Sequence, residues 1–451
     1  MSIFLGFFCA LLLMPGKILA QTNRFFPYAW QSGTFSNGLR VVTVPTEHKG
    51  LVALQIVVAV GSRHEVDPGR SGFAHFFEHM MFRGSEKFGA AQRQDIFTRA
   101  GAESNAYTTD DRTVYHSFFA KEDLRQILEV EADRFLRLVY TEDEFKTEAR
   151  AVLGEYNKNS SDPAEKLFEI LRDRAFSRHP YKHTTMGFAQ DIEDMPNQFA
   201  YSAQFYKRFY RPERTTILLV GDLEHQEAME LAGRYFGEWE RGGEKVEIPQ
   251  EPPPKGPKNA LIDWPANSLP YVAVAYHGPA FSDTSKDKVS LDLMKLMAFG
   301  ENSELYRRLV LKEQRVDLLT TMFEDHRDPE LFIVFARLKT IRDADYVRDA
   351  IVATFNTFAK EPVAAAFIDE SRSRLTYGAA MGWDSPKNLA HFLAPYLALR
   401  PTPDTVQRLF ELYGRVTPQD VVDVAGRYFT DERRIVVTMT PRPPLGTEVA
   451  P

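Results

Sequence analysis

Two stretches of this chain, more than 200 residues apart, are written to the same plan. "FYRPERTTILLV" (209–220) and "YFTDERRIVVTM" (428–439) each carry a helix end, a turn containing Glu-Arg and a strand. "VALQIVVAVGSRHE" followed by a helical pattern is echoed in turn by "PYVAVAYHGPAFSD" followed by "VSLDLMKLMAFGENS". Repeats at fixed spacing mean repeated structural units, so the chain reads as an internal duplication of roughly 200 residues per copy. The Pro/Gly-rich polar stretch 241–258, "RGGEKVEIPQEPPPKGPK", has no periodicity and reads as the linker between copies spanning 21–240 and 259–451. In the first copy, Asn37-Gly38 opens an alternating β run, 51–65 is a buried strand ending at a glycine, and 103–119 reads as strand, turn, strand.

The 451 residues are 44% apolar and 26% charged, the make-up of a globular chain with a large core. Acids and bases are interspersed and the net charge is −7, which supports neither nucleic-acid binding nor an anionic-membrane partner. The N-terminal run from Ile3 to Met14 is too short to span a bilayer comfortably and is followed by Ile18-Leu19-Ala20. It reads as a secretory signal peptide, residues 1–20, cut near Ala20, with a periplasmic or secreted mature chain that has no membrane span. Its lack of Lys and Arg before the apolar run leaves an uncleaved anchor or a buried helix open. Cys9, the single cysteine, lies inside that segment, so a metal site in the mature chain has to be built from His and carboxylates.

The stretch "SGFAHFFEHMMFRGSE" (71–86) sets His75, Glu78 and His79 among phenylalanines and methionines. On a helix, residues four apart share a face, so both imidazoles can point at one ion, and Glu78 lies close enough to reach a metal-bound water. This is H-x-x-E-H, the inverse of the commoner zinc-protease order. On the residues alone, a hydrogen-bonded pair of core histidines fits too. A catalytic zinc usually takes three protein ligands, and "TEDEFKTEARAVLGEYNKN" (141–159) can supply the third. Thr141 and Glu144 form a capping box there, and Phe145, Ala149, Val152 and Tyr156 form an apolar stripe. Glu148 and Glu155 stack two turns apart on the margin of that stripe, where a solvated acidic face is the other reading. The second copy has Asp, Met and Lys at the place of the His-Glu-His cluster, so any metal chemistry belongs to the first half.

The H-x-x-E-H helix followed by Glu155 resembles the pitrilysin, insulysin and mitochondrial processing peptidase family of zinc peptidases, family M16. "SNAYTTDDRTVY", "HPYKHTTMG" and "FYRPERTTILLVGD" support the likeness, which runs over essentially the whole mature chain. The resemblance implies an α+β fold of two homologous α/β-sandwich-like repeats, mostly antiparallel sheet with helices packed on it, closing as a clamshell on dimerisation. It implies one Zn2+ per chain held by His75, His79 and Glu155, with Glu78 as general base and Glu148 orienting the site from behind. It also implies that peptide substrates add as a strand to Asn105, Ala106 and Tyr107.

In active members of that family the second repeat supplies an Arg and a Tyr, seven residues apart, that stabilise the tetrahedral oxyanion. The matching segment is "SELYRRLVLKEQRVDLLTT" (303–321), where Val310 and Asp317 occupy those positions. Arg307 and Arg308 lie a turn earlier. The expectation is therefore half an active site: a complete zinc half, with Arg and Tyr coming from a homologous partner subunit in a heterodimer. A homodimeric peptidase and a non-catalytic structural subunit are the alternatives.

Overall fold

The computed structural model describes residues 24–442. The expected signal peptide, with Cys9 in it, lies outside the described residues. The first sheet holds β1 (Gln31–Thr34), β2 (Arg40–Pro45), β3 (Leu51–Val58), β4 (Glu103–Thr108), β5 (Thr113–Ala120) and β6 (Thr215–Gly221) in the order β1-β2-β6-β3-β5-β4. The second holds β7 (Lys258–Trp264), β8 (Tyr271–His277), β9 (Val316–Met322), β10 (Leu331–Leu338) and β11 (Arg434–Pro441) in the order β7-β11-β8-β10-β9. With β1 set aside, the two orders are the same. In both, one pair is parallel, β2 with β6 and β7 with β11, and the rest are antiparallel. The fold is α+β, and the echo read from the sequence is an echo in structure. Helix Phe199–Phe209, a short turn at Pro212–Arg214 and β6 match helix Pro418–Tyr428, a turn at Asp431–Arg433 and β11.

The central strands β3, β6 and β8 are buried almost throughout, so each sheet needs apolar cover on both faces. One face of each is covered by helices of its own half. The other is covered by a helix from the opposite half. Helix Pro163–Ala175, from the first half, buries Leu167, Leu171 and Ala175 against Ala273, Ala275, Ile435 and Val437 of the second sheet. Helix Pro386–Leu399, from the second half, buries Leu389, Leu393 and Leu397 against Val42, Ala53, Leu218 and Val220 of the first. An amphipathic stripe gives a helix an apolar face but does not say which sheet will meet it, which is why this exchange is invisible in the sequence pattern. Its consequence is that neither sheet is closed without the other half.

Leu393 is fully buried in the exchanged interface, so Leu393→Ala should cost about 2–5 kcal/mol. Chemical denaturation followed by probes in each half should show one shared transition moved to lower denaturant; separate transitions for the two halves would contradict the exchange.

Candidate metal centre

The helix Phe73–Met80 is short and apolar on most of its surface. Phe73, Ala74, Phe76, Phe77 and Met80 are buried, with Phe77 stacked on Phe205 at 5.5 Å and Phe76 edge-on to Phe145 at 4.9 Å. That packing leaves one stripe for polar groups, and His75, Glu78 and His79 fall on it. The residue before the helix, Gly72, has φ +89, and a Cβ there would lie 2.2 Å from Ile192 Cδ1 and 2.8 Å from the Met186 carbonyl oxygen. Glycine has no local side chain with which to cap the helix. Glu65 does it instead from seven residues upstream: its two carboxylate oxygens accept from the Gly72 and Ala74 amides, both at 2.7 Å. Burial pushes the Glu65 carboxyl up to about 8, against those two hydrogen bonds. Ser71 is pinned alongside, donating to Asp191 at 2.6 Å from its hydroxyl and accepting from the Phe188 amide at 2.8 Å.

The helix Glu142–Ser160 begins with the expected capping box of Thr141 and Glu144, and it buries Phe145, Ala149, Val152 and Tyr156. Its two marginal glutamates take different environments. Glu148 is buried; the Glu155 side chain is 39% exposed. Glu155 Oε2 lies 3.7 Å from His75 Nε2 and 3.4 Å from His79 Nε2, and one ligand atom of each residue falls within 4.8 Å of the others. Ligands about 2.0–2.1 Å from a tetrahedral zinc sit a little over 3 Å apart, so the three donors have the spacing and the hard and borderline character that zinc takes. The far nitrogen of His79, Nδ1, is 3.0 Å from Glu148 Oε1, which fixes the ring and leaves Nε2 as the free donor. Arg83 forks onto the same carboxylate.

The electrostatics separate the two histidines. Burial, reinforced by His79 nearby, lowers His75 to about 4 and keeps it a neutral donor. The hydrogen bond to Glu148 raises His79. Burial would lift Glu148, but the hydrogen bonds from His79 and Arg83 outweigh it and hold that carboxyl below its usual range. Glu78 goes the other way: burial raises it, opposed by a 2.6 Å hydrogen bond from the Thr108 hydroxyl. Thr108 ends β4, the edge strand of the first sheet, which carries Asn105, Ala106 and Tyr107. Asn105 is exposed, and its Oδ1 accepts from the Ala106 amide at 2.9 Å.

The second half presents a different surface. Val310 lies in the π-helical segment Arg307–Lys312. Asp317, on β9, accepts from Arg337 Nε and Nη2 at 2.9 and 3.0 Å. Arg307 and Arg308 line a cavity of about 740 Å³ whose walls come entirely from residues 296–374, so they do not join the histidine cluster. Sequence reading missed Glu65, Arg83 and Thr108. The only signal for them was their position next to the motif or at the end of the edge strand.

Two equivalent α+β halves, with one His-His-Glu cluster among the described residues, in the first, define a class of two-repeat chains. The comparisons with known proteins narrow it. Residues 40–188 match the family model described as Insulinase (Peptidase family M16), and 202–375 match Peptidase M16 inactive domain. The chain is 30% identical over 421 residues to the zinc protease PqqE of Helicobacter pylori, covering 91% of this chain and 93% of the relative. It is 24% identical to a probable mitochondrial-processing peptidase subunit beta of Schizosaccharomyces pombe, with 89% of each chain covered. A crystal structure of a protease from Helicobacter pylori superposes with a TM-score of 0.86 at 28% identity, covering 92% of this chain and all of that one. The chain belongs to peptidase family M16. Among the described residues, no helix is long and apolar enough to cross a membrane.

Because Glu148 orients His79 through its far nitrogen, Glu148→Gln should weaken zinc binding by about 10–100-fold without unfolding the chain. Competition with a chromophoric chelator reads the affinity, and an unchanged value would remove Glu148 from the site.

Proposed function

We propose that this chain is the zinc-bearing subunit of a hetero-subunit endopeptidase, hydrolysing peptides in a chamber closed by a homologous partner. The observation that carries the reading is the convergence of His75, His79 and Glu155, with Glu78 on the same helix face and Glu148 behind His79. His75, His79 and Glu155 would hold a zinc ion, which would supply Lewis acidity to a water and to the scissile carbonyl. Glu78, kept in place by Thr108, takes the proton as the water adds to the carbonyl carbon and then delivers it to the leaving amine. Burial raises its carboxyl, a direction that suits a group that must both accept and return a proton.

The substrate backbone pairs with the open edge of β4 at Asn105–Tyr107, an arrangement supported by the absence of any strand on that side of β4 among the described residues. Asn105 then exchanges its bond to the Ala106 amide for a substrate peptide group. Oxyanion donors are the missing part. Val310 cannot donate and Asp317 is an acid already engaged by Arg337. The partner supplies the Arg and Tyr, a division of labour in keeping with a relative named as one subunit of a processing peptidase. In this reading the repeats 21–240 and 259–451, joined by 241–258, form one wall of the clamshell. The first 20 residues are a leader, and the mature chain works in the periplasm or outside the cell.

Two measurements test this. Glu78→Gln in the assembled complex should lower peptide hydrolysis by about 10²–10⁴-fold with zinc content unchanged; full activity would make the chain a structural subunit. The purified chain alone should be slower than its mixture with the partner by about 10²–10³-fold, the worth of an oxyanion donor. Equal rates would favour a homodimer that stabilises the oxyanion by other means.

A further inference from the structure

The β4–β5 turn carries adjacent aspartates, Asp110 and Asp111, and both are buried. Turn aspartates ordinarily face water, and burying two side by side needs strong compensation. We propose that the β9–β10 turn of the second half, through His326 and its neighbours, grips this turn of the first half, and that His326 and Asp111 are thereby positioning residues for the substrate strand and for Glu78. "TTDDRT" (108–113) and "HPYKH" (179–183) both stand out in the sequence; beyond Thr108, which holds Glu78, their residues have no part in the proposed zinc chemistry, and both stretches belong to the grip.

The contacts run directly between the two halves. The Arg327 amide donates to Asp111 Oδ2 at 2.9 Å, and His326 Nδ1 lies 3.4 Å from Asp111 Oδ2 and 3.6 Å from Asp110 Oδ2. From within the first half, Tyr181 adds its hydroxyl, donating to Asp111 at 3.0 Å. Arg172 spans the halves, 2.9 Å from Asp110 and 3.3 Å from Glu330. Asp328 closes the outer side, 2.5 Å from Arg63 Nε and 2.9 Å from His179 Nε2. Asp110, His326 and Glu330 could by spacing hold a cation, but the Arg172 guanidinium already lies on both carboxylates, so the cluster is closed by protein charge. Burial opposes a charge on His326, yet Asp111, Asp110 and Glu330 outweigh it and raise the imidazole to about 9, which supplies the further positive charge.

The link to the active site is one residue long. Thr109 pairs with Arg112 to close the turn, and the next residue back is Thr108, whose hydroxyl holds Glu78 at 2.6 Å. Among the described residues, β4 is bonded on one side only, by β5. An edge strand so held takes its position from its turn as much as from its ladder. Asn105, Ala106 and Tyr107 and the base therefore share one anchor, and the second half provides half of it. This gives the repeat without a zinc motif a task inside its own chain.

The peptidase part of this inference rests on the function proposed above; the anchoring itself does not. The test uses the full zinc-loaded chain with His326→Asn, and with Asp328→Asn at the more exposed end of the cluster in case the first does not fold. Hydrogen exchange followed by mass spectrometry should speed up about tenfold over 103–112, while helices Phe73–Met80 and Glu142–Ser160 keep wild-type exchange. In the assembled complex, KM for a peptide should rise more than kcat falls. Wild-type exchange over 103–112 in a folded variant, or an increase spread evenly over both sheets, would overturn the proposal. Altered exchange in a chain whose wild type cleaves no peptide would uphold the anchor and refute the peptidase reading.

Discussion

A helix of eight residues does not hold its own shape in water, yet helix Phe73–Met80 has to keep two imidazoles and a carboxylate in fixed relation. What fixes it is a set of constraints at each end. Glu65 accepts from the amides of the first turn, and Ser71 is tied to Asp191. At the other end, His79 in the last turn and Arg83 just past it meet on Glu148. Between them the phenylalanines lock the helix into the core. The glycines at its entry follow from the same crowding: Gly187 has φ +86, and a Cβ on it would sit 2.8 Å from the Gly72 nitrogen. The clustering of His75, His79 and Glu155 is a consequence of this clamp, because the stripe left free by the aromatic packing is the stripe that faces Glu155.

The duplication makes the rest of the architecture legible. Each half repeats the order of strands and helices, and each offers the other a helix to cover its sheet. The hairpin turns at equivalent places, β4–β5 and β9–β10, then meet across the join. Helix Phe73–Met80 of the first copy carries the His75 and His79 pair; the helix Lys286–Phe299 of the second carries a buried Lys288, paired with Asp292 and Asp325.

Much of this could be read from the chain before any coordinates. The repeated helix-turn-strand segments announced two equivalent sheets, and the spacing of His75, His79 and the Glu148/Glu155 pair announced a centre between two helices. Harder to read were partners set by tertiary proximity. Glu65 looks like an ordinary acid after a strand, Arg83 like an exposed base, and Thr108 like a strand residue, because none sits at a helical interval from what it touches. The two glutamates also look equivalent in periodicity, whereas the fold buries Glu148 and leaves Glu155 partly open. The exchanged helices escaped for a related reason: amphipathicity sets a face and leaves its destination to the topology.

In the proposed function, one zinc ion binds at the junction of helices Phe73–Met80 and Glu142–Ser160. Diffraction from crystals of the zinc-loaded chain, recorded on both sides of the zinc absorption edge, tests it most directly. A single anomalous peak should lie within coordination distance of His75 Nε2, His79 Nε2 and the Glu155 carboxylate. A peak among Asp110, His326 and Glu330, or none between the histidines, would contradict it.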